Sequence, residues 1–442
     1  MVPRKDFRLI AFKILNDTFV SRRWVKESIE DNMGDINEEH RDIAKIYELC
    51  YGILRNKSLI DFRLSKFIKK PVEDIKLLNI LRIGYWQIKK MDSIPPYAAI
   101  NTCVDLAKEF VHPKTGGFIN AVLRNLLRDK SEDGISKKKP EDYLATTYSY
   151  EKWMVKFFLK HYPKEAEAIM QAGNIKPPFF IRVNTLKTNT EELVKTLKQN
   201  DIEAEPVKNF KSAMLVKSGN VIECEPFAKG LYYVQDLASQ SLGTFIDAGP
   251  KDSVIDIGSA PGGKAAFMAM AMENKGGIAA IESDAGRARM IDNTTARLGI
   301  TNVKVLTHDA TLDIPALHDT ADKVLVDAPC SALGVIRRHP EKKWCLEETE
   351  LKDFPKTQLA ILKTAAGWVK KGGELFYSTC TINPAENEGV AEKFLESVDG
   401  FKQVAVTENS KFSNFIKKKY FVSLPGNEMN MDGFFIARFM KK

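Results

Sequence analysis

Two cysteines and an aspartate follow short apolar stretches, and their side chains could carry out covalent chemistry. Residues 323–326, KVLV, have the pattern of a buried strand and lead directly into Asp327 and Cys330. Residues 375–377, LFY, lead in the same way towards Cys380. Because open α/β sheets bind ligands at the carboxyl ends of their strands, we expect the two thiols and the carboxylate to lie in one site.

A glycine-rich turn and two strand-end acids describe a cofactor site. Residues 256–264, DIGSAPGGK, close one predicted strand and open a helix, where glycines let a ligand approach backbone N–H groups. The pattern is neither G-x-G-x-x-G nor a Walker loop, which disfavours NAD and nucleoside triphosphates. Glu282 and Asp309 follow the next two strands, where acids can receive ribose hydroxyls. S-adenosylmethionine, an adenosine with a positively charged amino-acid tail, fits these residues.

A thiol beside a methyl donor has two possible uses. It could accept the methyl group itself, as in alkyl repair, or it could add to an electron-poor ring and make a neighbouring carbon nucleophilic. Cytosine C5 needs the second kind of help: a thiolate adds at C6, and an acid at N3 stabilises the developing charge. Asp327 suits the N3 role. One cysteine would attack and the other would assist release, and the spacing leaves their order open.

The order of predicted elements indicates a doubly wound, Rossmann-like α/β domain. Strands are expected at residues 253–257, 277–281, 303–307, 323–326 and 373–377, with a final pair that ends at residue 440. Helices are expected at residues 263–272, 286–298, 354–369 and 384–395. Repeated βα units of this kind form a mostly parallel sheet with helices on both faces.

The chain before this domain divides into three parts. Residues 1–128 have helical periodicity and should form an all-α domain of about six helices. The clearest of these helices are expected at residues 6–20, 38–54, 77–90, 97–110 and 118–127. Residues 129–142 form a charged linker, and residues 143–236 should add a helix and a small α+β subdomain. The catalytic domain is then residues 237–442.

Composition limits the remaining possibilities. The 442 residues are 44% hydrophobic and 28% charged, as in ordinary globular proteins, and no apolar run approaches the roughly 18 residues of a membrane span. The N-terminal stretch lacks a signal-peptide pattern, so the cytoplasm is the expected location. The net charge of +8 favours a polyanionic partner only weakly. The cysteines lack CxxC spacing and the histidines form no HxxxH pair, so we expect reduced thiols and no metal.

Several linked motifs resemble the Sun-type family of RNA cytosine-5 methyltransferases. They are DAPCSALGVIRRHP at 327–340, STCTINPAENE at 378–388, SAPGGK at 259–264 and DGFFIARF at 432–439. Residues 94–125, with IPPYAAINTCVDLAKEFV and GGFINAVLRN, resemble the NusB-like helical domain of the bacterial RsmB branch, the 16S rRNA methyltransferases. The resemblance covers nearly the whole chain.

The resemblance implies a role for each matched residue. Cys380 would attack C6, Cys330 would assist release of the methylated base, and Asp327 would contact the cytosine and border the cofactor. The residues that would hold S-adenosylmethionine are Gly258, Ser259, Ala260, Pro261, Gly262, Gly263, Lys264, Glu282, Arg287, Asp309 and Asp327. The residues across which the RNA would lie are Arg337, Arg338 and His339. The sequence departs from the family at two places: Gly258-Ser259 replaces the usual Cys-Ala, and Glu282 replaces the usual Asp. The first change keeps the close approach of the backbone, and the second keeps a carboxylate.

The leading hypothesis is a methyltransferase that makes 5-methylcytosine in small-subunit ribosomal RNA, on a base that must leave its stack. The same chemistry on transfer RNA is the first alternative. In a second alternative Cys330 is the nucleophile, as in DNA cytosine-5 enzymes, where the cysteine of a Pro-Cys pair attacks the base. A third is a non-catalytic RNA-binding assembly factor, which the intact Asp327, Cys330 and Cys380 disfavour. We expect a monomer, because nothing in the sequence marks a self-complementary apolar surface.

Overall fold

A computed structural model of the chain describes residues 6–32, 40–131, 134–406 and 410–442. Contacts between residues group the chain into two compact units. The first comprises Met1–Lys176 and Ile336–Glu348, and the second comprises Pro177–Val335 and Thr349–Lys442. The predicted boundaries after residues 128, 142 and 236 stay predictions. Residues of the predicted first domain and linker that lie outside the described ranges are residues 1–5, 33–39, 132 and 133, which include the first two of the helix expected at 38–54.

The first unit is built from α-helices, and those before residue 129 share one apolar core. Its helices are α1 (Phe7–Ser21), α2 (Val25–Asn32), α3 (His40–Ser65), α4 (Ile75–Lys90), α5 (Pro96–Phe110), α6 (Gly116–Arg128), α7 (Pro140–Thr147), α8 (Lys152–His161) and α9 (Ala166–Ala172). The predicted helices up to residue 127 are therefore confirmed. Helix α2 was not predicted, because VKESIEDN has only Val25 and Ile29 as apolar residues. Within the described ranges, no helix is both long and apolar enough to cross a membrane.

The second unit begins with a small antiparallel sheet. Its strands, in the spatial order β2-β3-β1-β4, are β1 (Phe179–Val183), β2 (Glu203–Pro206), β3 (Ala213–Ser218) and β4 (Tyr232–Val234). The associated helices are α10 (Thr190–Gln199) and α11 (Glu225–Ala228). The predicted α+β subdomain is confirmed. Asn184, which follows β1 and is fully buried, donates hydrogen bonds of 2.8 Å to the carbonyls of Gly230 and Leu298.

The larger sheet of the second unit carries the candidate site. Its strands are β5 (Ser253–Ile257), β6 (Gly277–Glu282), β7 (Val303–Thr307), β8 (Ala321–Asp327), β9 (Val369–Thr379), β10 (Phe401–Val404), β11 (Ile416–Lys417), β12 (Tyr420–Ser423) and β13 (Phe434–Lys441). They lie in the order β11-β12-β13-β9-β8-β5-β6-β7, with β10 beside β13. The pairs from β9 to β7 are parallel, whereas β13 is antiparallel to β9.

Both faces of this sheet are covered by apolar side chains. Along β9, Phe376 belongs to one buried cluster, and its neighbours Leu375 and Tyr377 belong to another. The remaining helices of the chain are α12 (Leu237–Phe245), α13 (Gly263–Ala271), α14 (Ala285–Leu298), α15 (Lys342–Cys345, in the first unit), α16 (Phe354–Trp368) and α17 (Glu388–Ser397). The doubly wound, Rossmann-like class is confirmed.

Two details of the sequence prediction for this sheet are wrong. The final pair of strands is in fact four strands, β10 to β13, of which β10 and β11 are too short to give a clear pattern. The helix expected from residue 384 begins at Glu388, because the preceding residues form a turn. In that turn, Asn383 and Asn387 use their side chains for hydrogen bonds around Thr381 and Glu386.

The strand order creates a switch point at β5. This strand pairs with β6 on one side and with β8 on the other, so successive connections run in opposite directions from it. A crevice opens at the carboxyl ends of strands where the order reverses in this way. The glycine-rich turn after β5 and the reactive residues after β8 therefore face the same crevice region.

The buried face of β9 should be important for stability. Phe376→Ala removes a ring with no exposed surface and should lower the free energy of unfolding by about 3–5 kcal/mol. Ile222→Ala, at a side chain that is 53% exposed, should change it by less than about 0.5 kcal/mol. Urea denaturation followed by circular dichroism measures both, and equal midpoints for the two variants would contradict the packing described here.

Candidate active site

The carboxyl ends of β8 and β9 bring three reactive groups together. The two strands pair in parallel, with Asp327 opposite Ser378, so the loops that follow them begin side by side. Cys330 Sγ lies 3.1 Å from Cys380 Sγ. Ser378 Oγ donates a 2.9 Å hydrogen bond to Asp327 Oδ1. The three residues singled out in the sequence are therefore neighbours in the structure.

Close packing fixes the two cysteine loops against each other. The backbone N–H of Gly334 donates a 3.1 Å hydrogen bond to the carbonyl of Cys380. A Cβ at Gly334 would lie 2.5 Å from the Gly433 carbonyl oxygen and 2.7 Å from that of Cys380, so only glycine fits there. The hydroxyls of Ser331 and Thr381, the residues after the cysteines, hydrogen-bond at 2.7 Å.

A lysine from the glycine-rich turn pairs with the aspartate. Lys264, in the first turn of α13, forms an ion pair and a hydrogen bond with Asp327 Oδ2. Burial by itself lowers the pKa of Lys264, but the charge of Asp327 and this hydrogen bond outweigh it and raise the pKa above 10.5. The site therefore contains a fixed ammonium group beside the carboxylate.

The surroundings of Cys330 decide the protonation of its thiol. The hydrogen bond with Cys380, burial, and the negative charge of Glu386 together raise the pKa of Cys330 well above its ordinary value. The Cys330 thiol is thus held in its protonated form. Because a thiolate is the reactive form of cysteine, this environment disfavours Cys330 as the attacking group.

The turn between β5 and α13 approaches the aspartate through its backbone. Gly258 has a φ of +70°, and a Cβ on it would lie 2.3 Å from the carbonyl oxygen of Asp327. Ser259 Oγ donates a 2.6 Å hydrogen bond to Asp256 Oδ2. Burial raises the pKa of Asp256 to about 7. The turn and the end of β8 are therefore in direct backbone contact, which only glycine allows at residue 258.

A cavity of about 350 Å³ lies over these groups. Eight predicted residues line it, namely Gly258, Ala260, Glu282, Arg287, Asp309, Asp327, Cys330 and Cys380. The predicted residues that belong to the same turn but do not line the cavity are Ser259, Pro261, Gly262, Gly263 and Lys264. One cavity thus joins the predicted cofactor residues to both thiols.

The acids of the cavity have free acceptor capacity. Glu282 is 4% exposed, and its Oε1 accepts a 3.1 Å hydrogen bond from the N–H of Ser283. Its Oε2 lies 3.5 Å from an Arg287 nitrogen and has no hydrogen-bond partner among the described residues. Hydrogen bonds from the N–H and hydroxyl of Thr311 lower the pKa of Asp309. A buried carboxylate oxygen without a donor fits the hydroxyl groups of a ribose.

Several residues that line the cavity were not among the predicted site residues. His308 lies beside Asp309 directly after β7, and this position after a predicted strand could have identified it as a site residue. Thr357 and Ile361 come from α16, whose sequence shows only an amphipathic helix. The described residues contain no group of three or more His, Cys, Asp or Glu side chains placed to hold a metal ion.

The predicted RNA-contacting residues belong to the first unit. Arg337 is only 2% exposed, whereas Arg338 and His339 are half-buried. The carbonyl of Arg337 accepts a 3.0 Å hydrogen bond from Arg55, and the His339 ring lies edge-on to Trp24 with centroids 5.2 Å apart. Arg337 offers almost no surface to a ligand, so we keep the RNA-contact proposal for Arg338 and His339 only.

This segment is anchored by buried polar contacts. Lys343 has no exposed surface, and its ammonium donates 2.8 Å hydrogen bonds to the Arg55 carbonyl and to Asn174 Oδ1. Trp344 Nε1 donates a 2.8 Å hydrogen bond to the carbonyl of Leu54. Residues 336–348 lie within the predicted catalytic domain, and no sequence pattern indicates that they group with the helical unit.

The fold of the second unit, together with its cavity, defines an S-adenosylmethionine-dependent methyltransferase. Three family models match the chain. They are the NusB family at residues 5–128, the ferredoxin-like domain of RsmF/B-like methyltransferases at 150–223, and the 16S rRNA methyltransferase RsmB/F at 244–440. The chain belongs to the 16S rRNA methyltransferase RsmB/F family.

Individual relatives agree with this assignment. The probable ribosomal RNA small subunit methyltransferase B of Bacillus subtilis is 32% identical, over 99% of this chain and 98% of that protein. The crystal structure of PH0851 has a TM-score of 0.83 and 27% identity, and covers 100% of this chain and 99% of that one. NSun6 from Pyrococcus horikoshii, solved with the S-adenosylmethionine analogue SFG, has a TM-score of 0.58 and 25% identity, over 66% and 98% of the chains.

The backbone contact at residue 258 gives a direct test of the cofactor site. Gly258→Ala should weaken S-adenosylmethionine binding by about tenfold or more, because a methyl group cannot fit 2.3 Å from the Asp327 carbonyl. Gly277→Ala is the matched control, since a Cβ there meets nothing within 4 Å, and its affinity should stay within about twofold. Isothermal titration calorimetry measures both, and equal affinities would show that the turn does not shape the site.

Proposed function

We propose that this protein methylates C5 of a cytosine in small-subunit ribosomal RNA through a covalent bond between Cys380 and cytosine C6. The observation that carries the proposal is the pair of thiols 3.1 Å apart, beside Asp327 and inside the cofactor cavity. Methyl transfer to an atom that is already nucleophilic would need no thiol beside the cofactor. The pair therefore supports a target carbon that must first be activated.

The first half of the reaction uses the groups at the ends of β8 and β9. The Cys380 thiolate adds to C6, and the electron pair of the C5–C6 double bond moves into the ring towards N3. The Lys264–Asp327 pair lies beside the thiols and holds the proton that N3 needs as this charge develops. S-adenosylmethionine, when bound, would supply an electrophilic methyl group for C5, with S-adenosylhomocysteine as the leaving group. Glu282, Arg287 and Asp309 would hold its adenosine and amino-acid parts.

The second half releases the product. Cys380 Sγ leaves with the proton of the Cys330 thiol, and the Cys330 thiolate that results takes the proton of C5, whose bonding electrons re-form the C5–C6 double bond. N3 returns its proton to the Lys264–Asp327 pair. Cys330 Sγ is within hydrogen-bonding distance of that departing sulfur, and the raised pKa of Cys330 suits a thiol that keeps a proton to offer. The protonated Cys330 thiol, together with the motifs at 327–340 and 378–388 that resemble the Sun-type family, supports Cys380 as the nucleophile and Cys330 as the residue that assists release.

The choice of RNA rests on the family and on basic surface. The RsmB/F family, and the relative of Bacillus subtilis named for the ribosomal small subunit, favour 16S ribosomal RNA. A base must leave its stack to reach a strand-end cavity, so single-stranded or unfolded RNA is the expected form. Arg338 and His339 would contact its backbone.

Single-cysteine variants test these roles. Purified wild type, Cys380→Ala and Cys330→Ala are incubated with unmodified 16S ribosomal RNA and labelled S-adenosylmethionine. Cys380→Ala should lower label transfer about 10³-fold or more and form no adduct, because it lacks the nucleophile. Cys330→Ala should accumulate a protein–RNA adduct that survives denaturant. Transfer is measured by scintillation counting and adducts by gel shift.

Cys224→Ala is the control, because this thiol contacts Tyr232 in the small subdomain and should leave transfer unchanged. Exchanged phenotypes of the two active-site variants would make Cys330 the nucleophile. Transfer by wild type to transfer RNA but not to ribosomal RNA would keep the chemistry and change the substrate.

A further inference from the structure

A buried glutamate lies between the two cysteine loops and is not one of the reacting groups in the steps above. Glu386 belongs to the ENE run that follows Cys380, and it has no exposed surface. It sits in the turn between β9 and α17, where residues 383–387 replace the first turn of the predicted helix. Burying a carboxylate is costly unless donors compensate it, so its surroundings should reveal what it does.

Three N–H groups converge on its carboxylate. Oε2 accepts hydrogen bonds from the backbone N–H of Ser331 at 2.9 Å and from Gln358 Nε2 at 3.0 Å, and Oε1 accepts one from Asn383 Nδ2 at 3.0 Å. Ser331 directly follows Cys330, and Gln358 also donates a 2.9 Å hydrogen bond to the Pro329 carbonyl. The side chain from the Cys380 loop therefore holds the backbone on both sides of Cys330.

The turn that carries Glu386 is itself held to β9. Tyr377 donates a 2.6 Å hydrogen bond to the Glu386 carbonyl. Thr379 Oγ1 donates one of 2.6 Å to Asn387 Oδ1, and Asn387 Nδ2 donates one of 3.0 Å to the Thr381 carbonyl. Because these residues flank Cys380, the carboxylate connects a rigid Cys380 segment to the Cys330 segment.

We propose that Glu386 is a positioning residue that fixes the Cys330 loop against the Cys380 loop and gives the two thiols different roles. The proposal rests on the proposed function, since the roles are those of attack and release. All three groups that contact the carboxylate are hydrogen-bond donors. The side chain at residue 386 must therefore accept hydrogen bonds at both of its terminal atoms. Glutamine has the same shape but would turn an NH₂ group towards at least one of these donors.

The charge of Glu386 supports the second half of the proposal. The groups that act on the Cys330 thiol are Tyr377 from β9, Cys380 directly after this strand, and Glu386 from the turn. The Lys264–Asp327 pair lies beyond Cys380. The negative charge of Glu386 raises the pKa of Cys330, in addition to the hydrogen bond with Cys380 and burial. Removal of that charge should therefore lower the pKa of Cys330 and increase the thiolate fraction at a given pH.

Steady-state kinetics test the positioning role. Glu386→Gln should lower kcat about 10- to 100-fold, because small displacements of reacting groups cost rates of this size. Its affinity for S-adenosylmethionine should stay within about twofold, since Glu386 does not line the cofactor cavity. Glu396→Gln removes the same charge from an exposed position on α17 and should behave as wild type. An unchanged kcat for Glu386→Gln would overturn the proposal.

A thiol titration tests the electrostatic role without any RNA. In a Cys380→Ser background, iodoacetamide alkylation of Cys330 is followed against pH by peptide mass spectrometry, with Glu386 intact or changed to Gln. The variant should react about threefold or more faster near pH 8, with its midpoint at lower pH. Identical profiles would show that Glu386 does not act on this thiol. The alkylation experiment needs no methyl transfer, so it tests the role of Glu386 independently. Failure of wild type to methylate ribosomal RNA would contradict the proposed function but not this result.

Gln358→Met provides a second variant in case Glu386→Gln fails to bind S-adenosylmethionine through loss of structure. It removes one donor to the carboxylate and one contact with Pro329, and it leaves the charge of Glu386 in place. A kcat lowered about threefold or more, with normal cofactor affinity, would support the positioning role. A wild-type kcat would overturn it.

Discussion

The pairing of β8 with β9 is the constraint on which the site depends. Asp327 and Ser378 are opposite each other in adjacent parallel strands, and each is followed within three residues by a cysteine. This register alone brings together thiols that are 50 residues apart in the sequence, with their sulfurs at 3.1 Å. Apolar side chains of β9 on both faces of the sheet hold the register, so the two cysteines follow strands that are buried in the unit.

The cofactor site is attached to the same strand end through backbone contacts. Gly258 packs against the Asp327 carbonyl, and Lys264 from the same turn pairs with the Asp327 side chain. The strand end thus contacts the cofactor turn on one side and the Cys380 loop on the other. In our interpretation this is how one aspartate can border both the methyl donor and the base that receives the methyl group.

Much of this arrangement could be predicted from sequence, because its signals are local. The strand patterns before Asp327 and Cys380, and the glycines at 258–263, gave the fold class and the reactive residues. The role of Glu386 could not be predicted, since its partners Ser331 and Gln358 are remote in the chain and only tertiary structure brings them together. The burial of Arg337 was hidden for the same reason: a basic residue after a catalytic loop gives no sign of packing against a helical unit.

The most direct test of the central claim identifies the sulfur that bonds to the base. Wild-type protein is incubated with S-adenosylmethionine and 16S ribosomal RNA that contains 5-fluorocytidine, in which fluorine replaces the C5 proton and so blocks release. The trapped complex is digested with nuclease and protease and analysed by mass spectrometry. We predict a methylated fluorocytidine nucleotide on the peptide that contains Cys380. The same nucleotide on the Cys330 peptide would contradict the assignment of the nucleophile, and the absence of any adduct would contradict covalent catalysis.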